Sequence, residues 1–400
     1  MKNYLIFIFR IWRLSFQGSS RYYLWMAALT VLSLIGLRAY MNQFVEGLST
    51  TGMTDQVSWG AYIANFTFLV GMAAAAVMLV IPAYVYKMKA MKDVVLIGEL
   101  MAVAVIIMCL LFVTVDLGHP ERFHHMLPPF GKFNFPMSML SWDVIALNGY
   151  LLLNMHICGY LLYSKYRGKA PSKLFYIPFV FIAIVWAISI HTVTAFLYVG
   201  LGGRPFWNHP IVAPRFLASA FSAGPALLIV TFQLIRKFTN YWIGDEPIFI
   251  LKKIVTVSLL ISLFLLGCEV FAEFYTGSYH VASANYLFFG LHGYDSLVPW
   301  IWTAISMNCI AMILLLTPLS RKLGWLNLAC VLLFVGIWIE KGMGLIIPGF
   351  VPTPLGQIVE YLPSVNETLV CMGIWAFGAL VYTWSLHVAI PILKGQLKAK

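Results

Sequence analysis

The sequence predicts an all-α integral membrane protein that crosses the bilayer ten times. Three observations carry that expectation. Of 400 residues, 61% are hydrophobic and only 10% charged, whereas a soluble domain carries about 25% charge. The apolar residues fall into ten stretches, each near the roughly 20 residues that a bilayer-spanning helix needs. The lysines and arginines gather in every second gap between those stretches and at the two ends. Cytoplasmic loops retain positive charge, so both termini are expected in the cytoplasm and the chain in the inner (cytoplasmic) membrane.

Residues 1–21 carry Lys2, Arg10, Arg13 and Arg21 among aromatics and lack a small-residue cleavage site. They read as an amphipathic segment on the cytoplasmic surface. Span one is expected over 22–41 and span two over 59–86. The gap with Lys87, Lys89 and Lys92 precedes span three at 93–116. A long non-cytoplasmic loop, 117–140, leads to span four at 141–163. The basic gap of Lys165, Arg167, Lys169 and Lys173 precedes span five at 174–200. Span six is expected over 212–235. Arg236, Lys237, Lys252 and Lys253 mark the turn into span seven at 251–275. Spans eight, 296–318, and nine, 323–347, flank Arg321 and Lys322. Span ten covers 367–391, and the tail 392–400 carries Lys394, Lys398 and Lys400. In lipid every backbone polar group must be satisfied internally, so all ten are helices. The alternation suggests two four-helix bundles, spans two to five and six to nine, with spans one and ten flanking a single domain over 22–391.

The net charge of +11 is an orientation signal. It is spread over short loops with no basic stripe, which argues against nucleic acid. Cys109, Cys158, Cys268, Cys309, Cys330 and Cys371 all lie inside predicted spans without CxxC spacing, so no local zinc or iron–sulfur motif is present. The non-cytoplasmic loops 42–58, 117–140, 201–211, 276–295 and 348–366 are rich in Pro, Gly, aromatics and His. Ordered loops of that kind suit docking of another protein. An interfacial aromatic belt accounts for Trp207 and Trp300 equally well.

Ionisable residues inside a membrane are functional candidates by default. Asp116 closes span three and Asp143 opens span four on the non-cytoplasmic side. His191 lies in that half of span five, and Arg215 begins span six. Glu269 and Glu273 are one turn apart in span seven, and Glu340 and Lys341 sit in span nine. Glu99 lies deep in the opposite half of span three. Carboxylates, a histidine and an arginine on one side fit oxidation or reduction of a quinone, which moves two electrons and two protons. Burial moves a carboxylic acid toward neutral pH, where a histidine already titrates. Helix-end residues that snorkel and pair with one another are the structural alternative for Asp116, Asp143 and Arg215. A haem would need two histidines at one depth; only His156 and His387 match, and nothing beside them supports it. The loop histidines His119, His124, His125, His209, His280 and His292 suit solvated or partner-facing roles better than a metal site.

The run VDLGHPERFHHML (Val115 to Leu127) and the following FNFPMSMLSWDV (Phe133 to Val144) resemble the NrfD-like membrane-anchor family, the quinone-interacting subunits of polysulfide reductase and related complexes. The matching residues are Asp116, Gly118, Pro120, Arg122, Pro136, Ser138, Trp142 and Asp143. Three further segments, Thr54 to Tyr84, Ala187 to Asn208 and Glu340 to Tyr361, look like the P-subunit branch, from the Dsr membrane complex of sulfur-metabolising prokaryotes. His119 departs from the arginine that the family often carries there. The resemblance implies a menaquinone-reactive respiratory subunit linked to sulfite reduction, with no haem or iron–sulfur cluster of its own. It implies as partners a periplasmic ferredoxin-like iron–sulfur subunit, a cytochrome c subunit, and a membrane cytochrome b tied to a cytoplasmic iron–sulfur protein. By family position His191, Asp116, Asp143 and Arg215 line or support the quinone pocket. Trp142, Tyr62 and Asn65 are further quinone contacts, with aromatic packing as the alternative. Glu99, with Asp116, is placed on a proton route; coupling of electron flow to proton translocation is left open, and a Glu99 hydrogen-bonded to a neighbouring helix is the alternative. Two other classes stand beside this one. A transporter would use helices broken at mid-membrane, for which Pro82 and Gly224-Pro225 are the candidates. A pure anchor would hold a soluble enzyme.

Overall fold

The structure, a computed structural model, describes residues 2–127, 129–277 and 281–399. His280 and Lys400, named above, lie outside the described residues. A surface helix, α1 (Lys2–Ser15), precedes α2 (Ser20–Glu46), α3 (Ala61–Val85), α4 (Val95–Asp116), α5 (Met139–Tyr166), α6 (Ile177–Val199) and α7 (Val212–Phe238). Next come α8 (Asp245–Thr276), the short α9 (Val281–Phe288), α10 (Val298–Leu316), α11 (Leu323–Lys341) and α12 (Val365–Leu393). Ten of these are long and apolar enough to span a bilayer. The chain is an all-α, multi-pass membrane protein.

Helices α3 to α6 pack on one another, as do α7, α8, α10 and α11. Helices α2 and α12 pair outside both groups, and α12 leans on α4. The two groups meet where α3 and α6 touch α7. Helix α3 is the centre: every residue from Ala61 to Val80 is buried. A helix apolar on all sides belongs in the interior, and the small residues Ala73 to Ala76 let a neighbour come close. Gly224 of α7 answers them, because a Cβ there would collide with Ala75. Pro225 beside it does not break α7, which is continuous. Pro82 falls in a π-helical turn, Ile81–Val85, at the end of α3. The real interruption is Gly342 (ψ −106°), where α11 stops and short turns, Met343–Ile346 and Ile347–Gly349, continue.

Helix ends follow local chemistry. Ser19 caps α2 by accepting from the Tyr22 amide at 3.3 Å. Ser364 caps α12 by accepting from the Glu367 amide at 3.0 Å, a Ser-x-x-Glu start. Helix α8 begins at Asp245, six residues before the sequence expectation. Asp245 and Glu246 complement the amide-rich end of its first turn, and Arg236 of α7 pairs with Asp245 at 2.7 Å. Lys252 and Lys253 therefore ride on the helix and not in the gap.

The two termini share one face. Arg10 Nη1 donates to the Lys398 carbonyl at 2.7 Å, and the Ala399 amide donates to the Tyr166 carbonyl at 2.8 Å. The longer connections (47–60, 117–127 with 129–138, 200–211, 281–297 and 350–364 among the described residues) gather at the opposite end. There Ser364 donates to the Thr50 carbonyl at 2.7 Å and the Ser296 amide to Glu360 at 3.1 Å. We call these the basic face and the loop-rich face.

Gly36 of α2 and Gly373 of α12 meet backbone to backbone, and a Cβ on Gly36 would lie 2.9 Å from the Leu369 carbonyl oxygen. Replacing Gly36 by Leu should split this pair and destabilise the protein by about 1–3 kcal/mol. Thermal unfolding in detergent would check it; an unchanged midpoint would show that the crossing tolerates separation.

Candidate functional site

Near the loop-rich face a cavity of about 280 Å³ lies among the start of α3, α10, the Trp338–Gly344 stretch, the segment 361–363 and α12. Trp300, Trp338, Leu297 and Ile301 supply apolar walls. Its polar groups are few and held firmly. Asn65 Oδ1 accepts from Trp338 Nε1 at 3.0 Å and from Trp375 Nε1 at 2.9 Å. Asn65 Nδ2 donates to the Ala61 carbonyl at 2.8 Å. Tyr361 also lines the cavity. Its hydroxyl donates to Glu367 Oε1 and accepts from the Ala61 amide at 2.8 Å. Burial first, and the Glu367 carboxylate second, push the Tyr361 phenol above its ordinary pKa, so the cavity faces a protonated hydroxyl.

Glu367 is fully buried. Its Oε1 accepts from the Ala61 amide at 3.0 Å and its Oε2 from the Gly52 amide at 3.0 Å. The carboxylate thus sits at the amide-rich starts of two helices, α3 and α12. Helix dipoles favour an anion there.

The opposite side of the Trp338–Gly342 turn holds a buried ionic group. Arg215 of α7 reaches Glu269 of α8 through Nη1, and Glu340 of α11 through Nη2 at 2.8 Å. Asn308 of α10 donates to Glu340 Oε2 at 2.9 Å. Gly336 makes room for that amide, since a Cβ there would collide with it. Lys341 has its Nζ 4.2 Å from the centre of the Phe216 ring and 3.4 Å from the Phe216 carbonyl oxygen. These contacts join α7, α8, α10 and α11, the whole second bundle.

The first bundle carries its own polar set. Asp143 of α5 is buried and accepts from Thr194 of α6 at 3.2 Å. Tyr198 of α6 bonds Thr67 of α3. His191 Nδ1 lies 2.9 Å from the Ala187 carbonyl, and its buried Nε2 finds no partner among the described residues. Tyr62 donates to Gln43 at 2.6 Å, and Gln43 donates to the Val115 carbonyl at 2.6 Å, next to Asp116, whose Oδ1 is buried and unpartnered among the described residues.

Of the residues expected at a quinone pocket, Asn65 lines this cavity; His191, Asp143, Arg215, Asp116, Tyr62 and Trp142 stand outside its lining. Trp142 is exposed, donates to the Pro136 carbonyl at 2.8 Å and packs on Phe135. The structural alternative required Arg215 to pair with Asp116 or Asp143; among the described residues it pairs with neither. Its neighbours across α7 are α8 and α11, so its charge is met by two carboxylates, Glu269 and Glu340, to which sequence reasoning assigned no role. Glu99 is buried on the basic side of α4, with Cys158 Sγ 3.6 Å away. His156 contacts the Phe175 carbonyl at 2.9 Å, and His387 the Gln17 carbonyl at 2.8 Å. Sequence reasoning missed Tyr361, Glu367 and Gln43. The Ser-x-x-Glu signal at Ser364 was readable, but only folding shows that Glu367 also caps α3.

A family model described as polysulphide reductase, NrfD matches residues 49–352. The chain belongs to the NrfD family. Among similar proteins is a putative membrane subunit of dimethyl sulfoxide reductase from Halobacterium salinarum, 25% identical, with 89% of this chain and 88% of that protein covered. The Hdr-like menaquinol oxidoreductase integral membrane subunit of Archaeoglobus fulgidus is 25% identical over 92% of this chain and 93% of its own. A selenate reductase subunit of Mesobacillus selenatarsenatis is 25% identical over 93% and 95%. The NrfD match spans α3 to α11, and therefore both bundles and the ionic group within the second.

Replacing Arg215 by Ala leaves Glu269 and Glu340 facing each other in a dry bundle. The expected loss is about 3–5 kcal/mol, read as a lowered unfolding midpoint in detergent. Adding Glu269→Gln and Glu340→Gln to that variant should restore part of it. If the triple variant is no better than Arg215→Ala alone, the pairing is not the source of the loss.

Proposed function

We propose that this chain is the quinone-reactive membrane subunit of a respiratory oxidoreductase complex, exchanging electrons between menaquinone or menaquinol and an iron–sulfur partner. The observation that carries the reading is the aromatic cavity beneath the loop-rich face, with Asn65 and Tyr361 as its fixed polar contacts. At about 280 Å³ it is near the lower end of small-molecule sites, roughly 300–1,000 Å³. That suits a two-ring quinone head whose tail leaves into lipid. The relative named as a menaquinol oxidoreductase subunit supports the same substrate class.

Bound quinone supplies two-electron, two-proton chemistry. The residues of the chain position it and handle protons. Tyr361, whose own proton is held by Glu367, offers its phenol oxygen as acceptor to a quinol hydroxyl, and Glu367 behind it fixes that orientation. Asn65 holds Trp338 as a wall and is itself held by Trp375 from behind. Asp116, with Tyr62 and Gln43 beside it, and Asp143 with Thr194 are the proton-bearing groups nearest the loop-rich end of the first bundle. His191 and Arg215 support the site from the bundle interior. Glu99, near the basic face, would begin a proton route if electron flow is coupled to translocation.

The loop-rich face is proposed as periplasmic, with the basic face and both termini cytoplasmic. An iron–sulfur subunit would dock there, and Arg204 is a fitting anchor. Its Nη1 is buried without a partner among the described residues, its guanidinium stacks 4.6 Å from the centre of the Phe350 ring, and burial lowers its pKa. A recess of about 60 Å³ beside it, with Ser283, Gly349 and Pro352, has room for one carboxylate. Cytochrome c and cytochrome b partners, and a place in sulfite reduction, belong to the same proposal through the sequence resemblance. A pure anchor is the competing reading.

Asn65→Ala and Tyr361→Phe should each lower menaquinol-dependent electron flow about tenfold or more in the intact complex. Asp143→Asn should lower it about a hundredfold if that carboxylate moves a proton. Assay of the purified complex with a soluble menaquinol analogue decides this; undiminished flow in all three variants leaves only the anchor. Arg204→Glu should release the iron–sulfur subunit on purification while the membrane subunit stays folded, and its retention at wild-type yield would remove Arg204 as the anchor.

A further inference from the structure

Arg38 is one of the few cations away from the basic face, and nothing in the redox site uses it. It faces outward from α2 and forms no ion pair among the described residues. With Leu34, Ile35 and Asn42 of α2, and Asn366 and Leu369 of α12, it lines an open groove of about 540 Å³. The groove exists because α2 and α12 touch at Gly36 and Gly373 and part beyond that crossing. Positions 35, 38 and 42 share one helix face, so the groove has an ordered polarity. Its deep half is Leu34, Ile35 and Leu369. Its end half is Arg38, Asn42 and Asn366.

Depth decides what such a groove can hold. Helix α2 has 27 residues and so is about 40 Å long, close to the roughly 40–45 Å of a bilayer with its headgroups. Arg38 lies eight residues from the Glu46 end, about 12 Å along the axis. A guanidinium there reaches headgroup level by snorkelling, while the apolar half stays among acyl chains. An unpaired cation facing lipid is costly and calls for an anionic partner. A second observation points the same way: Asn366 Nδ2 is buried with no acceptor among the described residues. A phosphodiester offers several acceptor oxygens and one negative charge, enough for Arg38 and the amides together.

We propose that this groove is a binding site for one phospholipid, its phosphodiester held by Arg38 with Asn42 and Asn366, and one acyl chain lying along Leu34, Ile35 and Leu369. A free phosphate would leave the apolar half without purpose. A quinone carries no charge to meet Arg38.

The test uses the purified complex in mild detergent, stripped of lipid by exchange and titrated with phosphatidylglycerol under native mass spectrometry. Two further probes separate the sources: diacylglycerol with the same tails, and glycerophosphoglycerol with no tails. One phosphatidylglycerol should bind per chain more tightly than any other, and both probes about tenfold or more weakly. Arg38→Ala should weaken that first lipid about tenfold, Arg38→Lys should retain most of it, and Leu34→Trp should block it by filling the groove without touching the charge. Equal binding of phosphatidylglycerol to wild type, Arg38→Ala and Leu34→Trp overturns the proposal. So does diacylglycerol or glycerophosphoglycerol binding as tightly as the intact lipid, or a quinone in place of the lipid as the species lost on Arg38→Ala. Unfolding midpoints of the variants, expected at the wild-type value before lipid is added, exclude misfolding as the cause of lost binding.

Discussion

A polar group inside a dry helical bundle must find its partner within the protein, and most of this structure follows from that constraint. The clearest instance is Arg215 between Glu269 and Glu340. One guanidinium ties α7, α8 and α11, and Asn308 adds α10 through Glu340. No apolar contact could specify the register of four helices so narrowly, because one leucine packs against lipid tails about as well as against another leucine. The ionic group sits on one side of the Trp338–Gly342 turn and the aromatic cavity on the other. Its rigidity is therefore also the rigidity of the cavity wall.

Glu367 plays the corresponding part at the loop-rich end. The buried Glu367 carboxylate of α12 is satisfied by the Ala61 amide at the start of α3, by the Gly52 amide of the preceding connection and by the Tyr361 hydroxyl. It binds a helix of the first bundle to the flanking pair, and it fixes the hydroxyl that faces the cavity. Structure and chemistry converge on the same few atoms. The groups left without partners are equally telling. His191 Nε2, Asp116 Oδ1, Arg204 Nη1 and Asn366 Nδ2 are each buried and unanswered within the described chain. Asp116 belongs to the proposed proton-handling set, His191 to the support of the proposed site, Arg204 to a docking face, and Asn366 to the lipid groove.

The ten apolar stretches revealed the number and order of the membrane helices, and the basic-gap alternation supported the count, since both reflect insertion physics and need no tertiary contact. Helix ends were placed only to within a few residues: span ten was expected to start at 367, whereas Ser364 caps the helix at Val365. They were missed where a helix simply emerged from the apolar layer, as at the Asp245 start of α8 and the Glu46 end of α2. Asn65 was named only through the family resemblance, and nothing in its own span singled it out. Trp142 was misleading, because a Trp beside an Asp at a helix start looks the same in sequence whether it faces a pocket or the surface.

What the sequence by itself determined is the set of charged residues within the membrane-spanning helices and the end of its helix near which each one lies. Both follow from hydropathy and from residue counts along a helix of known rise. Which charge meets which was decided only by the tertiary structure. Arg215 found Glu269 and Glu340, 54 and 125 residues away, and not the aspartates at its own depth. Depth is a property of one helix, whereas pairing depends on the rotation and neighbour of each helix, and those are set by close packing at Gly36, Gly224, Gly336 and Gly373.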